Sequence, residues 1–328
     1  MSIIEAIFMF MKYCLLMLVY FSLINCSSKS NHEEEIASIP IEVKIIRFDK
    51  EFANATPKSL SALKIKYPIF FPTQFHDSIW LQKMGDTLQV QLNEEVIKRF
   101  PTEEKLKTEL RSIFQHIKYY FPKFSSPTVV TSTSDVDYQN KIIIADSLLI
   151  ISVDTYLGRD HDFYAGIKKY ISQNLNESQL GPDIAAAYGQ QLISAPNQRS
   201  LLAQMVFYGK ELYLKDLWLP NSSDSDKIGY TEAQFTWALE NESEIWRYFV
   251  EKEILFSTNT KLLAQFINPA PFSKFYLEID NDSPGMVGRF LGWQIVRSYM
   301  KNNESSVQQL MIKNADALFN ESKYKPSK

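Results

Sequence analysis

An α+β fold, mostly helical with a small mixed sheet, is what this 328-residue chain predicts, and three observations carry it. Most of the body repeats apolar residues at helical spacing. Only four short stretches, one near the start of the body and three between residues 129 and 153, have the β-branched or alternating texture of strands. Glycine is scarce, 10 residues in all, about half the usual ~7%, which disfavours turn-rich sandwiches, propellers and glycine-loop nucleotide folds. The remaining composition is that of an ordinary globular protein, 45% hydrophobic and 22% charged. It is rich in aromatics, with 17 Tyr and 22 Phe. A net charge of -3 and a pI near 5.9 leave no electrostatic footprint for nucleic acid.

Taken in order, Ile41-Glu42-Val43-Lys44-Ile45 alternates as a half-buried strand does. Thr56 and Pro57 predict an N-cap and first helical position, with Leu60 and Leu63 on one face. Pro68 and Pro72 bracket an aromatic turn, and a helix is expected over 77–100, stopped by Pro101. The next begins at Thr102, with Glu103 and Glu104 in its first turn and a buried stripe of Leu106, Leu110, Ile113, Phe114 and Ile117. His116, off that stripe beside Lys118, is expected in solvent.

Strands follow. Val129 to Thr133 and Ile142 to Ala145 flank turn chemistry and are expected to form a hairpin; Leu148 to Val153 is nearly all apolar and expected to lie centrally or against a helix. Asp135 and Asp137 suggest either a plain polar turn or a calcium loop, but the Gly and terminal Glu of such a loop are missing. From Tyr156 onward helices dominate, with loops expected at Gly181-Pro182, 194–197 and 220–226. A helix over 201–219 turns Leu202, Met205, Val206 and Leu212 inward. Thr231 caps another, and Trp246, Phe249, Val250 and Ile254 make the next stripe. Ser283-Pro284 opens a helix carrying Gly285, Gly288 and Gly292. Helical glycine costs ~1 kcal/mol relative to Ala, so these predict close approach of a neighbouring element. A last helix over 307–319 buries Leu310, Met311 and Leu318.

The N-terminus reads as an address. Residues 7–24 are apolar apart from Lys12 and Ser22, and a polar run starts at Ser27. Two readings stand, a plain signal anchor and a bacterial lipoprotein signal peptide. The second explains more, because Leu23-Ile24-Asn25-Cys26 resembles a lipobox in which Cys26 is the acylated residue, although Asn25 stands where Gly, Ala or Ser is usual. The expected organisation is a signal peptide over 1–25, a polar tether over 26–35 and a single α+β domain over 36–328. Glu33, Glu34 and Glu35 serve solubility or, on the other reading, sorting to the cell surface.

Candidate chemistry is sparse. Four His, His32, His76, His116 and His161, are far apart in sequence, and both Cys, Cys14 and Cys26, lie in the first 26 residues. No nucleophile motif, phosphate loop or His-Glu-x-x-His occurs. Glu240, Glu242 and Glu244, or Asp280 and Asp282, qualify as paired carboxylates by count only and read as solvated helix starts or turns. These residues call for no metal or cofactor and no catalysis.

The element order, three strands, a helix near Asp183 and one through Gly209, is similar to zincin metallopeptidases. That resemblance implies a groove lined by an edge strand near Leu148 to Val153. Where zincins place metal ligands and base, this chain has Ala185, Ala186, Ala187, Tyr188 and Tyr208; Ala has no donor atom and neutral Tyr is a poor zinc ligand. A closer resemblance spans about residues 36–325. It includes Ile45-Ile46-Arg47-Phe48-Asp49-Lys50-Glu51-Phe52, Trp246-Arg247-Tyr248-Phe249-Val250-Glu251-Lys252, Ile267-Asn268-Pro269-Ala270-Pro271-Phe272 and Gly292-Trp293-Gln294-Ile295-Val296-Arg297-Ser298-Tyr299. These resemble the GldB family of gliding motility lipoproteins of Bacteroidetes. The resemblance implies a non-catalytic envelope protein, lipid-anchored at Cys26 in the inner or outer membrane with its body outside the cytoplasm. The partners it implies are the membrane and other proteins of the gliding and type IX secretion machinery, not nucleic acid.

Overall fold

The computed structural model describes residues 32–196 and 199–327. Its sheet has four strands, β1 (Lys44–Arg47), β2 (Thr128–Ser132), β3 (Ile142–Ala145) and β4 (Leu148–Ser152), in the order β1-β2-β4-β3. β1 runs parallel to β2, with Ile45 opposite Val129, and β2 runs parallel to β4, with Val130 opposite Ile150. β3 closes the sheet antiparallel to β4. The expected pairing of 129–133 with 142–145 is thereby corrected: β3 pairs with β4 across the two-residue turn Asp146-Ser147, where Asp146 has φ 49°. A two-residue turn with positive φ suits a hairpin, whereas the longer segment after β2 is drawn aside by Asp154. That buried carboxylate accepts the N–H of Ser134 at 3.0 Å and of Val136 at 2.7 Å. β4 is central, as its apolar run predicts, so the edge role given to 148–153 is overturned; β3 and β1 are the edges. β1 itself begins three residues later than expected.

β2 divides two cores because alternate side chains point to opposite faces. Val130 joins the smaller cluster, with Phe48 and Phe52 of α2 (Phe48–Ala53), Leu60 and Leu63 of α3 (Leu60–Lys66), Tyr67 and Phe71. Val129, with Leu149 and Ile151 of β4, faces the larger core, formed by the stripe of α6 (Glu104–Tyr120) and the helices of the C-terminal half. All five residues expected on the α6 stripe are buried.

Several boundaries differ for local reasons. Thr56 does not cap α3; its N–H donates to Ser59 Oγ at 2.9 Å, and the helix starts at Leu60. The expected helix over 77–100 is two, α4 (Asp77–Gly85) and α5 (Thr87–Arg99), because Asp86 leaves helical geometry and its carboxylate accepts the Gln89 N–H. After the one-turn α7 (Lys169–Ser172), Gly181-Pro182, expected as a loop, forms the first turn of α8 (Leu180–Leu192), where the missing proline N–H has no intrahelical partner to lose. α9 (Leu201–Trp218) matches its expectation with Ser200 as cap. α10 (Asp224–Ile228) occupies part of the expected loop at 220–226. Thr231 and Gln234 make a reciprocal capping box for α11 (Glu232–Glu240). In α12 (Glu242–Glu251) the inward pair is Ile245 and Phe249; Val250, expected inside, is 48% exposed because it lies ~100° around the helix from Phe249. The short α13 (Lys261–Phe266) follows, and α14 (Val287–Asn302) begins after Gly285. The expected last helix is two, α15 (Val307–Ile312) and α16 (Ala315–Ser322), split where Asn314 caps α16.

Helical residues 32–37 (α1) already pack against the body, with Ile36 buried. They also overturn the solvated assignment of His116, which is 5% exposed: Nε2 lies 3.2 Å from Glu33 Oε2 and Nδ1 2.8 Å from Ser112 O. α1 supplies the cover and the partner, which the spacing within α6 cannot reveal.

Candidate functional site

The principal helix pair is α9 with α14, and glycine sets its distance. A Cβ on Gly209 would fall on the carbonyl of Gly292 and 2.9 Å from Trp293 N; one on Gly292 would fall on the carbonyl of Met205 and 3.0 Å from its Cα. The expected close approach is therefore backbone against backbone. Gly209, Leu212 and Asp216 share the α9 face at i, i+3 and i+7.

Asp216 becomes the hub of a half-buried network. It accepts both Nε and Nη2 of Arg297 at 2.7 Å, Trp293 Nε1 at 2.9 Å and Lys227 Nζ at 3.1 Å. Asp224 completes it, 2.9 Å from Arg297 and 3.2 Å from Lys227. Burial opposes the Arg297 charge, but hydrogen bonds and charge from Asp216 and Asp224 outweigh it and raise the guanidinium pKa. The guanidinium also lies 3.7 Å above the Trp293 ring.

Beside this network lies a polar cleft of about 220 Å³, bordered by α8, α9 and the segment preceding α14. Buried Glu211 and Lys215 pair at 3.3 Å. Gln190 donates to Glu211 at 2.9 Å, and Lys215 donates to the Lys227 carbonyl at 2.9 Å. Asp183 accepts the Tyr156 hydroxyl at 2.9 Å and pairs with Lys141. Burial, then the Asp183 charge, pushes Tyr156 well above its ordinary pKa, so it stays a neutral donor. Opposite, Arg289 lies 3.7 Å above the Tyr208 ring and donates to the Ile267 carbonyl at 2.7 Å. These charged groups are engaged with protein partners.

The structure scatters the residues that the sequence singled out. Ala185 is buried, Tyr188 packs against Phe114 and Phe124, and Tyr208 lies under Arg289. Asp137 accepts the Gln139 N–H and the Asn140 amide, and Asp135 pairs with Lys83, so both serve the polar turn. Glu242, read as solvated, is buried and accepts the Tyr324 hydroxyl at 2.6 Å as well as that of Ser327. Glu244 pairs with Arg247 outside. Asp280 accepts the N–H groups of Phe275, Tyr276 and Leu277 and shapes a turn; Asp282 and Glu240 are exposed. His161 sits 3.3 Å from Glu95, and His76 caps α4. Among the described residues no group of three or more His, Cys, Asp and Glu is placed to hold a metal ion. Cys26 lies outside the described residues.

Sequence reasoning missed Asp216, although a signal existed: an acid on the apolar face of α9 matched by an Arg on the apolar face of α14. It also missed Lys210 and Glu109. Lys210 is buried and, among the described residues, donates to the carbonyls of Met311 and Lys313; burial lowers its pKa to about 8. Glu109 lies against Gly181, and burial, then the Glu177 charge, raises its pKa to about 7.

Fold and cleft together define a mostly helical α+β protein with a small mixed sheet and a polar cleft of internally paired charges. No curated protein and no solved structure matches the chain. The profile of the gliding motility protein GldB family matches residues 29–326, from before α1 to beyond α16, and the chain belongs to that family.

Proposed function

We propose that this component of gliding motility is a non-enzymatic lipoprotein of the cell envelope. On this reading it is anchored by a lipid on Cys26 with its body outside the cytoplasm, and acts as an accessory or scaffold for the gliding and type IX secretion machinery. The family match over 29–326 carries the proposal. The paired charges of the cleft support a binding rather than a catalytic role. The lipid anchor is supported by the sequence ending at Leu23-Ile24-Asn25-Cys26. Among the described residues no helix is long and apolar enough to cross a membrane.

Crosslinking and pull-down from native envelopes, combined with deletion of the chain, tests the role. Proteins of the gliding and secretion machinery should be captured, and deletion should stop gliding; a deletion strain that glides and secretes normally overturns the proposal. Cys26→Ser should abolish acyl labelling, and continued acylation refutes the anchor.

A second reading, a peptide-binding protein or hydrolase of zincin descent, is supported by α8 packing both on α9 and beside the edge strand β3. Stoichiometric zinc together with peptidase activity in the purified full chain would favour it.

A further inference from the structure

An apolar groove of about 560 Å³ opens where α6 ends beside the C-terminal end of α8. Phe121, Phe124, Tyr188 and Leu192 line it, and Lys123 and Gln308 stand among its polar borders. The groove is preformed. The Phe124 ring packs 5.5 Å from both Phe114 and Tyr188, and Phe121 packs 5.9 Å from Trp218. Lys118 Nζ donates to the carbonyls of Pro122 at 2.6 Å and Phe124 at 2.7 Å, which fixes the loop that forms the wall.

The described chain begins against Tyr119 and Tyr120, the two residues that precede Phe121 of the groove. The His32 ring lies edge-on to Tyr119 at 4.9 Å, and its Nε2 is 3.2 Å from the Tyr120 hydroxyl. The Tyr120 carbonyl accepts the side-chain amide of Gln308, itself a groove residue, and Phe121 follows Tyr120 directly. Cys26 is six residues upstream of His32, a reach of at most about 22 Å even fully extended. The intervening Ser27-Ser28-Lys29-Ser30-Asn31 is polar and chemically unsuited to an aromatic-walled groove. Moving upstream from His32, the first strongly apolar chemistry within reach is whatever Cys26 carries.

We infer that the groove docks an acyl chain of the lipid on Cys26. The inference rests on the lipidation of Cys26 proposed above. A chain held there is withdrawn from water without a bilayer, because each buried methylene adds to the apolar area removed from solvent. The protein then has two states, one with all its acyl chains in the membrane and one with a chain folded back on its own body. The second weakens the anchor, since stable attachment takes more than one lipid signal.

Cells expressing the full chain are fed a fatty acid bearing a diazirine, irradiated, and the crosslinked peptides mapped. The expected product joins the lipidated Cys26 peptide to peptides containing Phe121, Phe124 or Leu192. Leu192→Lys should reduce it to background while leaving label incorporation and the thermal unfolding midpoint unchanged. Label on Cys26 with no crosslink to these peptides overturns the groove assignment while the lipidation reading stands. Groove peptides joined only to phospholipid overturn it in favour of a membrane lipid as occupant. If the wild-type chain takes up no label, or Cys26→Ser keeps it, the lipidation reading fails and this inference fails with it. Crosslinks that persist in Leu192→Lys also refute it; if that variant unfolds, the wild-type crosslink map alone decides.

Discussion

Gly292→Ala tests whether α9 and α14 meet backbone to backbone. In an open helix this change stabilises by ~1 kcal/mol. Here the new methyl group would fall on the Met205 carbonyl and lie 3.0 Å from Met205 Cα. The obstacle is main chain within α9, so no side-chain rotation relieves it and the helices must separate. Separation loosens Leu202, Met205 and Val206 against Leu291, Ile295 and Val296, all buried. Overpacking a close-packed core, backbone shifts included, costs about 1–3 kcal/mol; set against the ~1 kcal/mol helix gain, a net loss of about 1–2 kcal/mol is expected. Urea unfolding followed by far-UV circular dichroism reads it. Gly85→Ala is the control, since a Cβ there has nothing within 4 Å, and it should be neutral or slightly stabilising. Met205→Ala should not rescue Gly292→Ala, because the blocking atoms are backbone. A Gly292→Ala protein as stable as the parent, or rescue by Met205→Ala, would refute the close contact.

Asp216→Asn should destabilise by about 2 kcal/mol, because it removes the bidentate partner of half-buried Arg297 while Asp224 still faces Arg297 and Lys227, whereas Glu244→Gln, whose Arg247 partner is 61% exposed, should fall within about 0.5 kcal/mol of the parent; equal effects in urea unfolding would sink the network as a stabilising element. Glu109 has a folded pKa raised to about 7 from 4.5. Its contribution is therefore fully present below pH 4.5 and lost as pH rises through about 7. Glu109→Gln should accordingly gain stability relative to the parent between pH 5 and pH 8, on the order of 2 kcal/mol. A difference that does not change with pH would show that Glu109 is not held in its neutral form.

What could be read from the chain was what neighbouring residues decide among themselves. The α6 stripe, the Thr231 cap and the inward face of α9 depend on residues three or four apart, so periodicity finds them. Helix interruptions were legible in part: Pro101 was visible as a stop, while Asp86 and Asn314 end helices through side-chain hydrogen bonds that compete with helical geometry, and composition does not say which Asp or Asn will do so.

The sequence by itself determined the α+β class, most helix faces and the need for something to approach the glycines near 288 and 292. Only the tertiary structure decided what approaches them. The partner of Gly292 is Met205, and that of Asp216 is Arg297, each more than 80 residues away in sequence. Strand pairing followed the same division: β2 and β3 each look like strands alone, but β4 lies between them because hydrogen-bond partners are chosen across the sheet. His116 and Glu242 look like surface residues within their own helices and are buried because α1 and the C-terminal segment close over them. Local pattern fixes which way a side chain leaves its own element; whether that direction ends in water, a carboxylate or another backbone depends on elements brought together by burial of apolar surface, and that information is spread over the whole chain.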